Sequence, residues 1–162
     1  MNIMKKVLAV ASGVTDGFGG DQDFRDWAKL NGLDFMAFHS ANPESHKAMI
    51  IACEQGKLEF CKWLFKKLSS EDQIKAITEN DEYERTPMLI ACKSGNLELC
   101  QWLFEVGADA DILKANNDGN TPMHLACKNG HLHVCEWLHV CEWLFEVGAD
   151  ADITKANNDG NT

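Results

Sequence analysis

Apolar residues recur along this chain in short blocks with a fixed order. Ile51-Ala52-Cys53 is followed by Glu54-Gln55-Gly56-Lys57-Leu58 and then by Cys61-Lys62-Trp63-Leu64-Phe65. The order returns at Ile90-Ala91-Cys92 to Leu97 with Cys100-Gln101-Trp102-Leu103-Phe104, and again at Leu125-Ala126-Cys127 to Leu132 with Cys135-Glu136-Trp137-Leu138. Each unit reads as helix, glycine turn, helix. Pro87 and Pro122 stand where proline starts a helix, after Thr86 and Thr121, whose hydroxyls can accept from early amides. Gly56, Gly95 and Gly130 let the chain reverse, because glycine takes left-handed dihedrals without strain. Gly107 or Gly148 closes the second helix, and Asn117-Asp118-Gly119-Asn120 supplies turn chemistry before the next threonine.

The repetition has a measurable period and one defect. Thr121-Pro122-Met123 echoes Thr86-Pro87-Met88 after 35 residues, whereas Phe145-Glu146-Val147-Gly148-Ala149-Asp150 echoes Phe104-Glu105-Val106-Gly107-Ala108-Asp109 after 41. The six-residue difference is the length of a tandem copy: His133-Val134-Cys135-Glu136-Trp137-Leu138 is repeated at once as His139 to Leu144. Self-similarity at this period marks a solenoid whose units bury their apolar faces against neighbours. Six extra residues lengthen a helix by ~9 Å and rotate the downstream residues by roughly a third of a turn. Trp137 and Trp143 therefore cannot both take the position of Trp63 and Trp102, so one copy overhangs, loops out or shifts the next unit. The first unit is four residues longer than the second, which predicts a longer linker within Ser69 to Asn80.

Residues 1–41 lack the repeat. Gly13-Val14-Thr15-Asp16-Gly17-Phe18-Gly19-Gly20-Asp21 is a glycine-rich loop ahead of a short capping helix from about Asp23 to Leu30. No Gly-Lys-Ser/Thr follows it, so it is not a phosphate cradle, and Asp21, Asp23 and Asp26 lack calcium-loop spacing. The array then runs over 42–162, with units at about 42–80, 81–115 and 116–156, and 157–162 opening another.

Composition narrows the function classes. The net charge of −10 is concentrated in residues 81–162, which carry −9 against −1 for residues 1–80. An acidic second half disfavours nucleic acid, whose phosphates need cationic partners, and suits either solubility or a basic protein partner. No apolar run approaches the ~18 residues of a membrane span, and Val7 to Ala11 is too short for a secretory core. Cys53/Cys61, Cys92/Cys100 and Cys127/Cys135 are each eight apart and recur with the repeat, while Cys141 is the copy of Cys135. Repeat-locked cysteines read as buried packing residues, and their odd number as reduced thiols in the cytoplasm or nucleus.

The segments Thr121-Pro122-Met123-His124-Leu125-Ala126, Gly130-His131-Leu132, Val147-Gly148-Ala149-Asp150 and Asn117-Asp118-Gly119 closely resemble the ankyrin repeat. The resemblance covers about residues 42–162 and is weaker in the first unit, where Lys47-Ala48-Met49 stands for Thr-Pro-Met. It implies an all-α solenoid of paired antiparallel helices with projecting finger turns, about three units plus the start of a fourth. The units are two residues longer than the usual ankyrin repeat, a difference expected in the finger loop around Lys114-Ala115 and Lys155-Ala156. Glu84 stands where Gly119 stands one unit later. A left-handed non-glycine costs roughly 1–2 kcal/mol, which predicts that this finger bends differently. Leu89 replaces the equivalent of His124, removing a side-chain hydrogen bond that the family uses to tie finger to helix.

The resemblance also implies protein binding through finger tips and the exposed ends of first helices. Carried over by position, the partner-binding residues are Glu82, Tyr83, Arg85, Lys93 and Ser94 in the second unit, and Asn117, Asp118, Asn120, Lys128 and Asn129 in the third. Tyr83 and Arg85 are of the types that dominate interface energies, with Lys93 and Lys128 a short basic ladder behind them. His124, Cys127, His131 and Cys135, with His133 nearby, could suggest zinc. Cys127 and Cys135 recur in units that have no histidine at the matching positions, which favours packing, so no metal or other cofactor is expected. No nucleophile–base pair or isolated carboxylate pair stands out, so no catalytic residue is assigned. The leading reading is a non-enzymatic interaction scaffold; the alternatives are a metal- or redox-responsive Cys/His protein and an incomplete piece of a longer array. Solenoid ends usually carry polar caps, and the final Asp159-Gly160-Asn161-Thr162 predicts marginal stability or self-association there.

Overall fold

The computed structural model describes residues 20–33 and 44–146, which form eight α-helices with no strand among the described residues. Helix α1 spans Asp21–Leu30. The first unit pairs α2 (Glu44–Glu54) with α3 (Leu58–Lys67), followed by α4 (Ser70–Thr78). The second pairs α5 (Pro87–Ser94) with α6 (Leu97–Leu103), and the third pairs α7 (Pro122–Lys128) with α8 (Leu132–Glu146). The first helices of successive units, α2, α5 and α7, pack side by side. The glycine-rich stretch at 13–19 and the expected fourth-unit opening at 157–162 lie outside the described residues.

Local chemistry starts and stops these helices as the sequence predicts. The Thr86 hydroxyl accepts from the Leu89 amide at 3.2 Å and the Thr121 hydroxyl from the His124 amide at 3.2 Å. Pro87 and Pro122 occupy the first turn, where a missing N–H costs nothing. Gly95 is left-handed at φ 74° and is also crowded: a Cβ there would fall 2.4 Å from Nδ1 of His131. That imidazole lies against Gly95 because its Nε2 sits 3.0 Å from the carbonyl of Lys93 one unit back. Asn129 Nδ2 donates to the same carbonyl at 3.1 Å, so the third unit is hydrogen-bonded to the turn of the second.

The extra length of the first unit is a helix rather than a longer linker. Ser69 caps α4 by accepting from the Asp72 amide, and Gln73 Nε2 donates to the Phe65 carbonyl at 2.8 Å. Ala76 and Ile77 are then fully buried. Thirty-five residues on, Asp111 and Ile112 occupy the matching places in a short 3-10 turn, Asp109–Leu113. A capped start and two apolar residues suffice to convert four added residues into a packed helix.

One aromatic joint recurs between units. The Phe65 ring meets Trp102 edge-on at 5.6 Å, and Phe104 meets Trp137 edge-on at 5.6 Å. Edge-to-face pairs are favoured by the ring quadrupole and add about 0.5–1.5 kcal/mol beyond burial. Trp63, which has no preceding unit, stacks instead on Phe24 of α1 at 4.2 Å. Phe24, Trp27 and Ala28 of α1 are buried, and Trp27 Nε1 donates to Gln55 Oε1 at 2.8 Å. The expected capping helix therefore supplies the first rung of the aromatic series.

The tandem hexapeptide is accommodated as uninterrupted helix, making α8 fifteen residues long. The first copy keeps the repeat positions: Val134 and Leu138 are buried and Trp137 joins Phe104. The second copy overhangs. Val140 is 53% exposed and Trp143 55%, with only Cys141 of its apolar residues up to Trp143 buried. A helix insertion of six residues returns poorly to phase, so one copy alone can face the stack.

Candidate functional site

Two fingers project from the stack, and each is built on one acceptor side chain. In the second unit Asp81 Oδ1 accepts from the amides of Tyr83 and Arg85, both at 2.9 Å. In the third, Asn116 Oδ1 accepts from the amides of Asp118 and Asn120 at 3.1 and 2.9 Å. The backbone bonds match as well: Glu84 N to Asp81 O at 3.0 Å corresponds to Gly119 N to Asn116 O at 2.9 Å. Glu84 consequently takes φ 57° beside the 75° of Gly119. The two fingers bend alike, against the expectation that Glu84 would change the turn. The Asp81 cage outweighs the local cost of a left-handed Cβ.

Arg85 fixes that cage from the side. Its Nε donates to Asp81 Oδ2 at 2.7 Å, its Nη2 pairs with the same oxygen, and its Nη1 reaches Glu54 Oε1 of α2 at 3.0 Å. Burial works against the Asp81 carboxylate, but hydrogen bonds from the Arg85 side chain and from the Arg85 and Tyr83 amides prevail and hold it below the usual carboxylate range. The guanidinium also lies over the Tyr83 ring, 5.2 Å from its centroid. Tyr83 itself is 57% exposed. The next finger is tied to this one: the Asn117 amide donates to the Tyr83 carbonyl at 3.3 Å, and Asn117 Nδ2 to the Glu82 carbonyl at 3.4 Å.

The ten residues expected to meet a partner therefore differ in what they are free to do. Glu82, Tyr83, Asp118, Lys93 and Lys128 present exposed side chains. Asn117 and Asn129 are both exposed, and both hold one unit to the next. Ser94 is exposed and donates to the Ala91 carbonyl at 3.0 Å. Arg85 is half-buried in ion pairs, and Asn120 is half-buried in its finger. Sequence reasoning missed Asp81, whose 35-residue correspondence to Asn116 was the available signal, and Glu84, which adds a carboxylate to the tip.

The histidine and cysteine cluster of the third unit does not converge. His131 turns back to the Lys93 carbonyl, while the His124 ring is exposed and its unit's cap involves only the His124 backbone. Leu89, the counterpart of His124, is fully buried. Among the described residues no three His, Cys, Asp or Glu side chains are placed to hold a metal ion. Cys127 also departs from its expected burial: it is exposed and Cys135 half-exposed, while Cys53, Cys61, Cys92 and Cys100 are buried. The inner pairs are covered by the unit that comes after them.

One buried group stands outside the fingers. Asp111 is 6% exposed, and its Oδ2 has no hydrogen-bond partner. Burial, only partly offset by Lys114 with Nζ 3.8 Å from Oδ1, pushes its carboxyl up to about 6.

Helix pairs stacked in one direction, with hydrogen-bonded fingers on one edge, define a helical repeat solenoid. The family model described as ankyrin repeats in three copies matches residues 27–114 and 49–155, and the chain belongs to the ankyrin-repeat family. No curated protein matches the chain. Ankyrin repeats are generally protein–protein interaction modules. No helix among the described residues is long and apolar enough to cross a membrane.

Proposed function

We propose that this protein is a non-enzymatic scaffold that binds a protein partner across the finger tips of its second and third units and the adjoining concave helix surface. The observation that carries this reading is Tyr83: an exposed aromatic ring on a finger immobilised by Asp81, Arg85 and Asn117. Binding through a pre-ordered aromatic avoids much of the entropy lost when a mobile side chain is fixed. Exposed Glu82 and Glu84 flank it in the same finger and exposed Asp118 follows in the next, a negative charge that suits a basic partner surface. Exposed Lys93 and Lys128, at matching positions of consecutive units, would serve as contacts for an acidic group within that surface. The same position in the first unit is Glu54, occupied by Arg85, so the basic pair begins only at the second unit. The repeat-locked cysteines suit a reducing compartment, the cytoplasm or nucleus.

The test is capture of cellular proteins by the intact chain and by Tyr83→Ala. Tyr83→Ala is expected to lose at least tenfold of the specific capture while its circular dichroism and melting temperature hold. Equal capture by a folded Tyr83→Ala would reject the finger as the anchor. Arg85→Ala is unsuited to this purpose because it removes the Asp81 and Glu54 ion pairs that shape the finger itself.

A further inference from the structure

The two fingers are joined at their roots as well as at their tips. At the tips, Asn117 donates to the carbonyls of Tyr83 and Glu82. At the roots, Lys114 opens the third-unit finger and its Nζ donates to the carbonyl of Thr78, the last residue of α4, at 3.4 Å. Thr78 stands shortly ahead of Asp81, the acceptor on which the second-unit finger is built. The same ammonium lies 3.8 Å from Oδ1 of Asp111, whose other oxygen is buried without a partner. One cation is thus shared between a carbonyl of the unit before and a carboxyl of its own unit. In the preceding unit Ala76 and Glu79 stand at the places of Asp111 and Lys114, so the arrangement has no counterpart there.

We propose that Asp111 and Lys114 form a proton-operated clasp that sets how firmly the root of the third-unit finger is held to the end of α4. While Asp111 carries its proton it is no ion-pair partner, and the Thr78 carbonyl keeps the ammonium. When the proton leaves, a full negative charge faces the ammonium and outcompetes a neutral carbonyl. The unpartnered Oδ2 adds to the pull, because a buried charged oxygen without a donor is costly. Lys114 then turns from Thr78 toward Asp111, and the finger that begins at Lys114 shifts with it.

Burial places this change close to neutrality by pushing the carboxyl up to about 6. The clasp on Thr78 is therefore closed below that value and released above it. Lys114 favours the ionised carboxyl and Asp109 opposes it. On the elements packed against the 3-10 turn, Lys93, Glu105, His124, Lys128, His133, Glu136 and His139 are exposed, and Glu142 lies by Cys141. Because the proposed partner surface spans both fingers, the clasp regulates binding there; that consequence rests on the binding reading, whereas the clasp itself does not.

The test is NMR of the intact chain, labelled with nitrogen-15 and carbon-13, from about pH 4.5 to 7.5. The Asp111 carboxyl carbon is expected to titrate near 6, and the Asn117 amide to move with the same midpoint. Asp111→Asn should lose that movement. Lys114→Met should raise the Asp111 midpoint and uncouple the Asn117 amide from it. Lys114 is exposed, so this variant keeps the test open even where replacing buried Asp111 disturbs the fold. An Asn117 amide that stays still across the Asp111 midpoint, or still moves in Asp111→Asn, would overturn the proposal. So would an unchanged Asn117 titration in Lys114→Met, which would mark a through-space charge effect instead of a clasp. None of these readings involves a partner, so they stand apart from capture by Tyr83→Ala.

Discussion

Asp111 gives the sharpest test of the energetics. It occupies the place that Ala76 fills in the preceding unit, yet carries a carboxylate whose Oδ2 is buried without a partner. Its carboxyl lies at about 6 in the folded chain against an ordinary aspartate value of 3.8. A tenfold change in proton affinity corresponds to about 1.4 kcal/mol, so ionised Asp111 opposes folding by about 3 kcal/mol at most, and about 1–3 after structural relaxation. The sign follows from proton counts. Between the two values the folded state binds more protons than the unfolded state, so the contribution to stability is fully present below about 4 and is lost as pH rises through about 6. Asp111→Asn keeps the shape and cannot ionise, and Asp111→Ala copies the preceding unit. Urea unfolding of each variant and the parent at pH 4 and pH 7.5 should show near equality in acid and an advantage of about 1–3 kcal/mol for the variants at pH 7.5. Taking the difference between chains cancels other titrations, among them His46, whose imidazole is pushed down by burial. A variant-minus-parent difference that is the same at both pH values would refute the reasoning.

Three further perturbations probe the turns and the tandem copy. Gly95→Ala combines left-handed strain with a Cβ placed 2.4 Å from His131, whereas Gly119→Ala has the strain alone with nothing within 4 Å. Chemical denaturation should show losses of about 2–4 and about 1–2 kcal/mol respectively, and equal losses would mean the His131 contact is unimportant. Glu84→Gly removes a left-handed Cβ while loosening the unfolded chain, so a net gain of about 0.5–1 kcal/mol is expected by the same measurement; a loss would show that the Asp81 cage depends on the glutamate. Deleting His139–Leu144 removes exposed Val140 and Trp143 while leaving Trp137 and Leu138 in register. It should raise the melting temperature by a few degrees, on the order of 1 kcal/mol, and an unchanged or lower value would contradict the overhang.

The parts of the fold legible in the sequence are those fixed by a local rule repeated at constant spacing. Thr86-Pro87 and Thr121-Pro122 announce helix starts, Gly95 and Gly130 the reversals, and the tryptophan position one packing role shared by three units. Phe24 was illegible as the first rung because α1 carries no repeat; only its place in space reveals the equivalence with Phe65. α4 was missed because four extra residues register as length, while its structure depends on Ser69 capping and on what Ala76 and Ile77 bury. Glu84 misled because its cost is a property of one residue, whereas the turn is set by Asp81 and Arg85 together. At the candidate site, Tyr83 was visible as the chain's sole tyrosine. That Arg85 is occupied and Asn117 is a tie between fingers follows from partners about thirty residues away in sequence, which no local pattern encodes.

The aromatic joint makes the units interchangeable in one direction. The first unit offers Phe65 to Trp102 of the second, and the second offers Phe104 to Trp137 of the third. Duplicating or losing a whole unit leaves that wiring intact, since any phenylalanine can receive any tryptophan. Duplicating six residues inside a second helix does not, because His139 now holds the sequence position where phenylalanine should stand and Phe145 comes one and two-thirds turns late, roughly 9 Å along the helix. Such an array can change its length by whole modules without disturbing the joint, while a change smaller than a module sets phenylalanine and tryptophan out of step.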